Sequence, residues 1–129
     1  MNKKSFDRGR ELYAIICAAC HLPHGNGQEG LAPPLVESEW TLGSEQRLAR
    51  IVLHGVRDGI TVKGRRYELN MPALATALED QPIADILTYI RREWGHEGKP
   101  VAVETIAAAR KSTTDREDSW TEAELLQVH

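Results

Sequence analysis

Cys17-Ala18-Ala19-Cys20-His21 sets two thiols one helical turn apart and an imidazole directly after the second, and the chain has no other cysteine. Three chemistries use such a cluster. A structural zinc site takes four ligands, usually from a second Cys or His pair at short spacing. The remaining histidines, His24, His54, His96 and His129, are scattered instead. A thioredoxin-like dithiol belongs in a βαβ pattern with its first Cys opening a helix. Here the motif closes a helical pattern, and no strand pattern precedes it. The third chemistry is attachment of a c-type haem, each thiol adding to one vinyl group. His21, four residues after Cys17, then falls on the same face and can bind the iron. The spacing fits this third chemistry best.

The elements that must carry the motif follow from periodicity. Phe6, Gly9, Tyr13, Ile16 and Cys20 recur at spacings of three and four, which predicts a helix over 6–20. A glycine inside a helix costs about 1 kcal/mol relative to alanine, so Gly9 predicts close approach by a crossing helix. Residues 22–43 hold Pro23, Gly25, Gly27, Gly30, Pro33, Pro34 and Gly43 and read as a long loop. A loop of that length in a small domain is expected to wrap something. Ser44 is a good N-cap for a helix whose stripe is Leu48, Ile51 and Val52, with Gly55 as its C-terminal cap.

Residues 56–78 read as a second irregular stretch, with β-prone pieces at Ile60-Thr61-Val62 and around Tyr67. Pro82 suits a first helical turn, and Ile83, Ile86, Leu87 and Ile90 form the stripe of a helix expected to end near Trp94, before Gly95. The tail shows weak helical patterns near 103–111 and 121–127, with Thr121 as a cap for the last. The expected architecture is all-α without a regular sheet: one domain over residues 1–96 and a helical extension, 97–129, packed on it.

Composition narrows the function. Hydrophobic residues reach 41%, but aromatic ones only 5% with a single Phe, so few large side chains are available to fill a core. A large non-protein group in the middle would account for that. The net charge of -3 argues against a basic nucleic-acid binder. With a mean hydropathy of -0.42 and no apolar run near 18 residues, no membrane span is expected. Basic residues gather at Arg47, Arg50, Arg57, Lys63, Arg65 and Arg66, and acids gather between Asp115 and Glu124. These read as solvated faces or as a surface orienting a partner. The first residues carry no export signal, so a signal removed earlier, or excision from a larger chain, is expected.

Over roughly residues 5–95 this organisation resembles a class I cytochrome c. Gly9 and Tyr13 match the glycine and aromatic before that family's haem motif, and Ile86 and Tyr89 match positions of its last helix, which crosses the first. Ala32-Pro33-Pro34-Leu35 is similar to the family's proline segment, which implies that the Pro33 carbonyl holds the second nitrogen of His21. Asn70-Met71-Pro72-Ala73 is similar to its distal-ligand loop, which implies Met71 as the second axial ligand. Met71 lies in a loop before a proline rather than on a helix stripe. His24, too near His21, and His54 and His96, at helix ends, are the weaker competitors. Trp40 and Tyr67 are expected at the haem edge, with Arg47, and also Arg65 and Arg66, as partners for the propionates. Trp94 and Trp120 are expected to pack, Trp120 pinning the tail.

The resemblance implies one haem c, electron transfer without catalysis, a redox partner such as a dehydrogenase or oxidase, and a periplasmic or otherwise exported location. The tail resembles extensions of cytochrome domains attached to bacterial oxidoreductases. The rival reading is a haem enzyme or sensor with a displaceable distal ligand.

Overall fold

The computed structural model describes residues 3–68 and 70–128. Met1, Asn2, Leu69 and His129, the last among the scattered histidines, lie outside the described residues. The architecture is helical with one small sheet. Helix α1 (Lys3–Leu12) runs into a π-helical turn at Tyr13–Cys17 and then the single turn α2 (Ala18–His21). Short α3 (Glu39–Leu42) precedes α4 (Glu45–His54). Strands β1 (Ile60–Val62) and β2 (Arg65–Tyr67) follow, then α5 (Asp80–Ile90), α6 (Val103–Ser112) and α7 (Glu122–Leu125).

Helices α1 and α5 pack face to face at Gly9. A Cβ there would overlap the Asp85 carbonyl oxygen, so only glycine permits this approach. The crossing is locked electrostatically. Asp85, 2% exposed, accepts hydrogen bonds from Ser5 Oγ at 2.6 Å, Arg8 Nε at 2.7 Å and Gln81 Nε2 at 2.9 Å. Burial pushes the Asp85 carboxyl up, but these donors outweigh it and hold it below its usual range. Aromatic contacts complete the joint: Phe6 and Tyr13 pack on Tyr89 at 5.2 and 5.4 Å, and Trp94 closes on both tyrosines.

Helix α4 begins as its N-cap predicts, with Ser44 Oγ accepting from the Arg47 amide, and ends at Gly55, which has φ 75°. Two buried clusters result. The larger joins Tyr13 with apolar residues of α4, α5 and α6; the smaller joins Trp40, Ile51, Val56, Ile60, Val62, Trp120 and Leu125. Met71 packs against both.

Four expectations are corrected. The helix over 6–20 is broken in register by the π turn. The 22–43 segment contains α3, capped by Ser38 Oγ, which accepts from the Trp40 and Thr41 amides. Helix α5 ends at Ile90 rather than near Trp94. A regular sheet exists: β1 and β2 pair antiparallel, Val62 opposite Arg65, around Lys63 and Gly64, both at positive φ. That is the backbone of a two-residue hairpin turn whose twist suits the strands. The tail turns out as expected in kind, with α6 at 103–112 and α7 shorter than 121–127. Thr121 forms a capping box with Glu124.

Candidate functional site

The π turn and α2 present Cys17, Cys20 and His21 to a cleft between the helices. Its other walls are the 31–35 segment, α3, the stripes of α4 and α5, β1, and the 70–74 loop. Apolar side chains dominate, including Leu48, Ile51, Val52, Ile86, Leu87 and Ile90.

The turn that carries the motif is fixed from both ends. Tyr13 is 2% exposed, and its Oη donates to the Leu22 carbonyl at 2.6 Å, tying the residue after the motif to the helix before it. Trp94 Nε1 donates to the Pro23 carbonyl at 3.2 Å. Burial, and then Cys20, push the Cys17 thiol up to about 11. A redox dithiol needs the opposite shift toward thiolate, which disfavours the thioredoxin-like reading. Among the described residues no group of three or more His, Cys, Asp or Glu side chains could hold a metal ion, so the zinc reading has no ligand set.

His21 Nδ1 lies 2.8 Å from the Pro33 carbonyl oxygen. A carbonyl can only accept, so Nδ1 carries the hydrogen and Nε2 keeps its lone pair. Burial lowers the basicity of the ring, and the Pro33 bond partly restores it. The imidazole is therefore neutral and oriented, the state a metal ligand requires.

Met71 is placed by backbone pairing. Its amide donates to the Val56 carbonyl at 2.9 Å, and its carbonyl accepts from the Val56 amide at 3.1 Å. The Leu74 and Ala75 amides then bond the Val52 and Leu53 carbonyls at the end of α4. The loop thus lies along the end of one helix, with the Met71 side chain in the cleft lining.

The structure brings Cys17, Cys20, His21, Pro33, Trp40 and Met71 into one lining. Trp40 keeps its indole N–H on the Thr61 carbonyl at 2.8 Å, which ties the cleft wall to β1. Tyr67 and Arg47 are outside that lining. Tyr67 packs on the smaller cluster. Arg47 stacks over Trp40 at 5.2 Å and gives its guanidinium to the Leu125 and Val128 carbonyls at 3.0 and 2.9 Å. Arg66 binds Glu122 at 2.6 Å, and Arg65 is an exposed side chain 3.8 Å from Glu29. No arginine or lysine of the described residues lines the cleft; Arg47 and Arg66 reach the tail and Arg65 lies at the surface. Arg66 pairs with Glu122 of the acidic tail, whereas Arg57 and Arg65 lie beside Asp58 and Glu29.

Ser38 and Thr41, which the sequence reading passed over, and Asn70, which it quoted only as part of the methionine loop, also line the cleft. The only sequence signal for them was Ser38 as a cap before Glu39-Trp40. His54 and His96 are occupied elsewhere: His54 Nε2 pairs with Thr113 Oγ1 at 2.8 Å, while His96 donates to the Ile90 carbonyl and accepts from the Glu37 amide. His24 is exposed and bonded to Asn26.

Residues 4–90 match the family model described as cytochrome C oxidase, cbb3-type, subunit III. The chain is similar to the gluconate 2-dehydrogenase cytochrome c subunit of Pantoea cypripedii, 32% identical over 110 residues that span 82% of this chain and 24% of that subunit. It is 35% identical over 91 residues to cytochrome c-552 of Thermus thermophilus, across 67% of this chain and 68% of that protein. The cytochrome c subunit of the quinone alcohol dehydrogenase of Gluconobacter oxydans is 31% identical over 91 residues, 68% of this chain and 18% of that subunit. No helix among the described residues is long and apolar enough to cross a membrane. An apolar cleft that opens on two thiols, a neutral imidazole and a thioether agrees with these matches, and the chain belongs to the cytochrome c family.

Proposed function

We propose that this chain is an electron-transfer domain carrying one haem c, attached through Cys17 and Cys20, with His21 and Met71 as axial ligands. The residues present fit that group. The observation that carries the reading is His21, held by the Pro33 carbonyl with its second nitrogen free, in the same cleft lining as Met71 and both thiols. When bound, the haem supplies a one-electron Fe(III)/Fe(II) couple, which a thioether and imidazole set biases toward higher potential.

The chain's own residues do the rest. Cys17 and Cys20 keep the group in place in both redox states. Pro33 fixes the His21 ring and makes it a better donor. The apolar stripes of α4 and α5 exclude water and lower the local dielectric. Ser38, Thr41 and Asn70 are polar residues of the lining, and Arg47, stacked over the cleft residue Trp40, stands with Tyr67 as a candidate partner of the haem edge. Two protein ligands leave no position for substrate, which favours a carrier over a haem enzyme or sensor.

We take residues 1–96 as the cytochrome domain and 97–129 as an extension packed on it. The named relatives support a dehydrogenase or oxidase as redox partner, and a periplasmic or otherwise exported location belongs to the same reading. The test is expression with haem-attachment machinery. The intact mass should show one added haem, lost in the Cys17→Ala/Cys20→Ala variant. The ferric protein should show the weak near-infrared band of thioether ligation, lost in Met71→Ala. A colourless wild-type chain from such cells overturns the proposal.

A further inference from the structure

Val56 is paired on both sides. One edge meets Met71 antiparallel, and the other meets Trp120 in parallel. The Trp120 amide donates to the Gly55 carbonyl at 2.9 Å, and the Arg57 amide donates to the Trp120 carbonyl at 2.8 Å. Met71, Val56 and Trp120 therefore form three adjacent rungs, with the middle one irregular backbone between α4 and β1. Among the described residues, the backbone bonds on the outer side of that middle rung come from Trp120 of the tail.

Trp120 is the anchor of the tail at this point. Its ring is 9% exposed, in the same cluster as Val56, against which Met71 also packs. Its indole N–H donates to the Arg50 carbonyl at 2.9 Å. Arg116 covers the ring at 3.5 Å and reaches back to the Ser119 carbonyl and Glu124, so the segment is rigid around the anchor. Arg57 also donates to the Ser119 carbonyl, adding a tie beside the rung.

We propose that Trp120 is a positioning residue for Met71: by fixing the outer edge of Gly55-Val56-Arg57, it fixes the register and depth at which Met71 enters the cleft. The inference rests on Met71 being the second axial ligand. A tether that acts on one loop changes how readily a competing ligand displaces the thioether, apart from any change in global stability.

The test is titration of the ferric, haem-loaded full chain with imidazole, followed by loss of the near-infrared thioether band. Trp120→Ala should bind imidazole about tenfold more tightly, which corresponds to about 1.4 kcal/mol. Trp120→Phe keeps a ring but loses the bond to Arg50, and should shift the same way by about threefold. Ile83→Val, a fully buried change outside the cleft lining, serves as the stability control and should titrate like wild type. If Trp120→Ala does not accumulate loaded, Trp120→Phe decides. Trp120 variants that titrate like wild type or like the control overturn this inference while leaving Met71 ligation standing. A wild-type protein without the thioether band overturns the ligation and this inference with it.

Discussion

Gly55 and Met71 meet backbone to backbone. A Cβ on Gly55 would overlap the Met71 carbonyl oxygen and lie 2.9 Å from the Pro72 carbonyl carbon. Gly55 also sits at φ 75°, ψ -175°, a region almost confined to glycine. Gly55→Ala is therefore expected to cost about 1–3 kcal/mol from the backbone conformation alone. It should also push the methionine loop outward. Urea unfolding measures the first effect. A weakened ferric near-infrared band in the loaded protein reports the second, and an unchanged band with a normal midpoint would contradict both.

At Gly9 two effects oppose each other. Alanine gains about 1 kcal/mol of helix propensity. Its methyl would overlap the Asp85 carbonyl and lie 2.8 Å from Tyr89 Cβ, and over-packing of a tight contact costs about 1–3 kcal/mol. Because the overlap is with backbone, packing wins. Gly9→Ala should lower the urea midpoint, and a higher midpoint would show that α1 and α5 can part without penalty.

The tail should loosen in acid. Hydrogen bonds from Arg116 and the Thr121 backbone hold the Glu124 carboxyl down to about 2, against an ordinary 4.5. The folded value is the lower one, so this contribution is complete above about 4.5 and is lost as pH falls through about 2. Hydrogen exchange at the Leu125 amide, which bonds the Thr121 carbonyl, should accelerate over that interval. Glu124→Gln should flatten the dependence; an equal slope in both proteins would place the acid response elsewhere.

Without its cofactor the chain should lose cooperative folding. The cleft is lined by Leu48, Val52, Ile86, Leu87 and Ile90 of α4 and α5, which also belong to the larger cluster. Walls that are also the core cannot stay apart on their own contacts, because stability is a small difference between large terms. Circular dichroism of a haem-free Cys17→Ala/Cys20→Ala chain should show no sharp thermal transition. A cooperative melt would mean that the protein core stands by itself.

What the sequence revealed is what local chemistry encodes. Ser44 and Thr121 cap where their side chains predict, because a cap needs only its own turn. Gly9 announced a crossing, because a glycine in a helix has a propensity cost that something must offset. The π turn was not legible: its residues keep helical spacing on either side, and the extra backbone residue leaves no compositional mark. The hairpin was half legible, with β-branched Ile60-Thr61-Val62 in view but its pairing hidden, since three-residue strands fall below any periodic signal.

The surroundings of Arg47 were hidden for a different reason. A run of basic residues reads the same whether it faces a cofactor, a partner or its own chain. Only folding shows Leu125 and Val128 closing on Arg47 while Glu122 closes on Arg66. The cleft itself was foreshadowed by scarcity, one Phe and long Gly/Pro loops, but Ser38, Thr41 and Asn70 meet in its lining only in three dimensions.

The bond from Ser5 to Asp85 spans 80 positions of sequence. Helix α1 therefore cannot complete this joint until α5 has been made, and long-range closure of this kind is slow. The wall that α5 supplies beside Cys17 and Cys20, at Ile86, Leu87 and Ile90, is likewise made late in the chain. Late assembly of the joint leaves a window of time in which the polypeptide can still be modified.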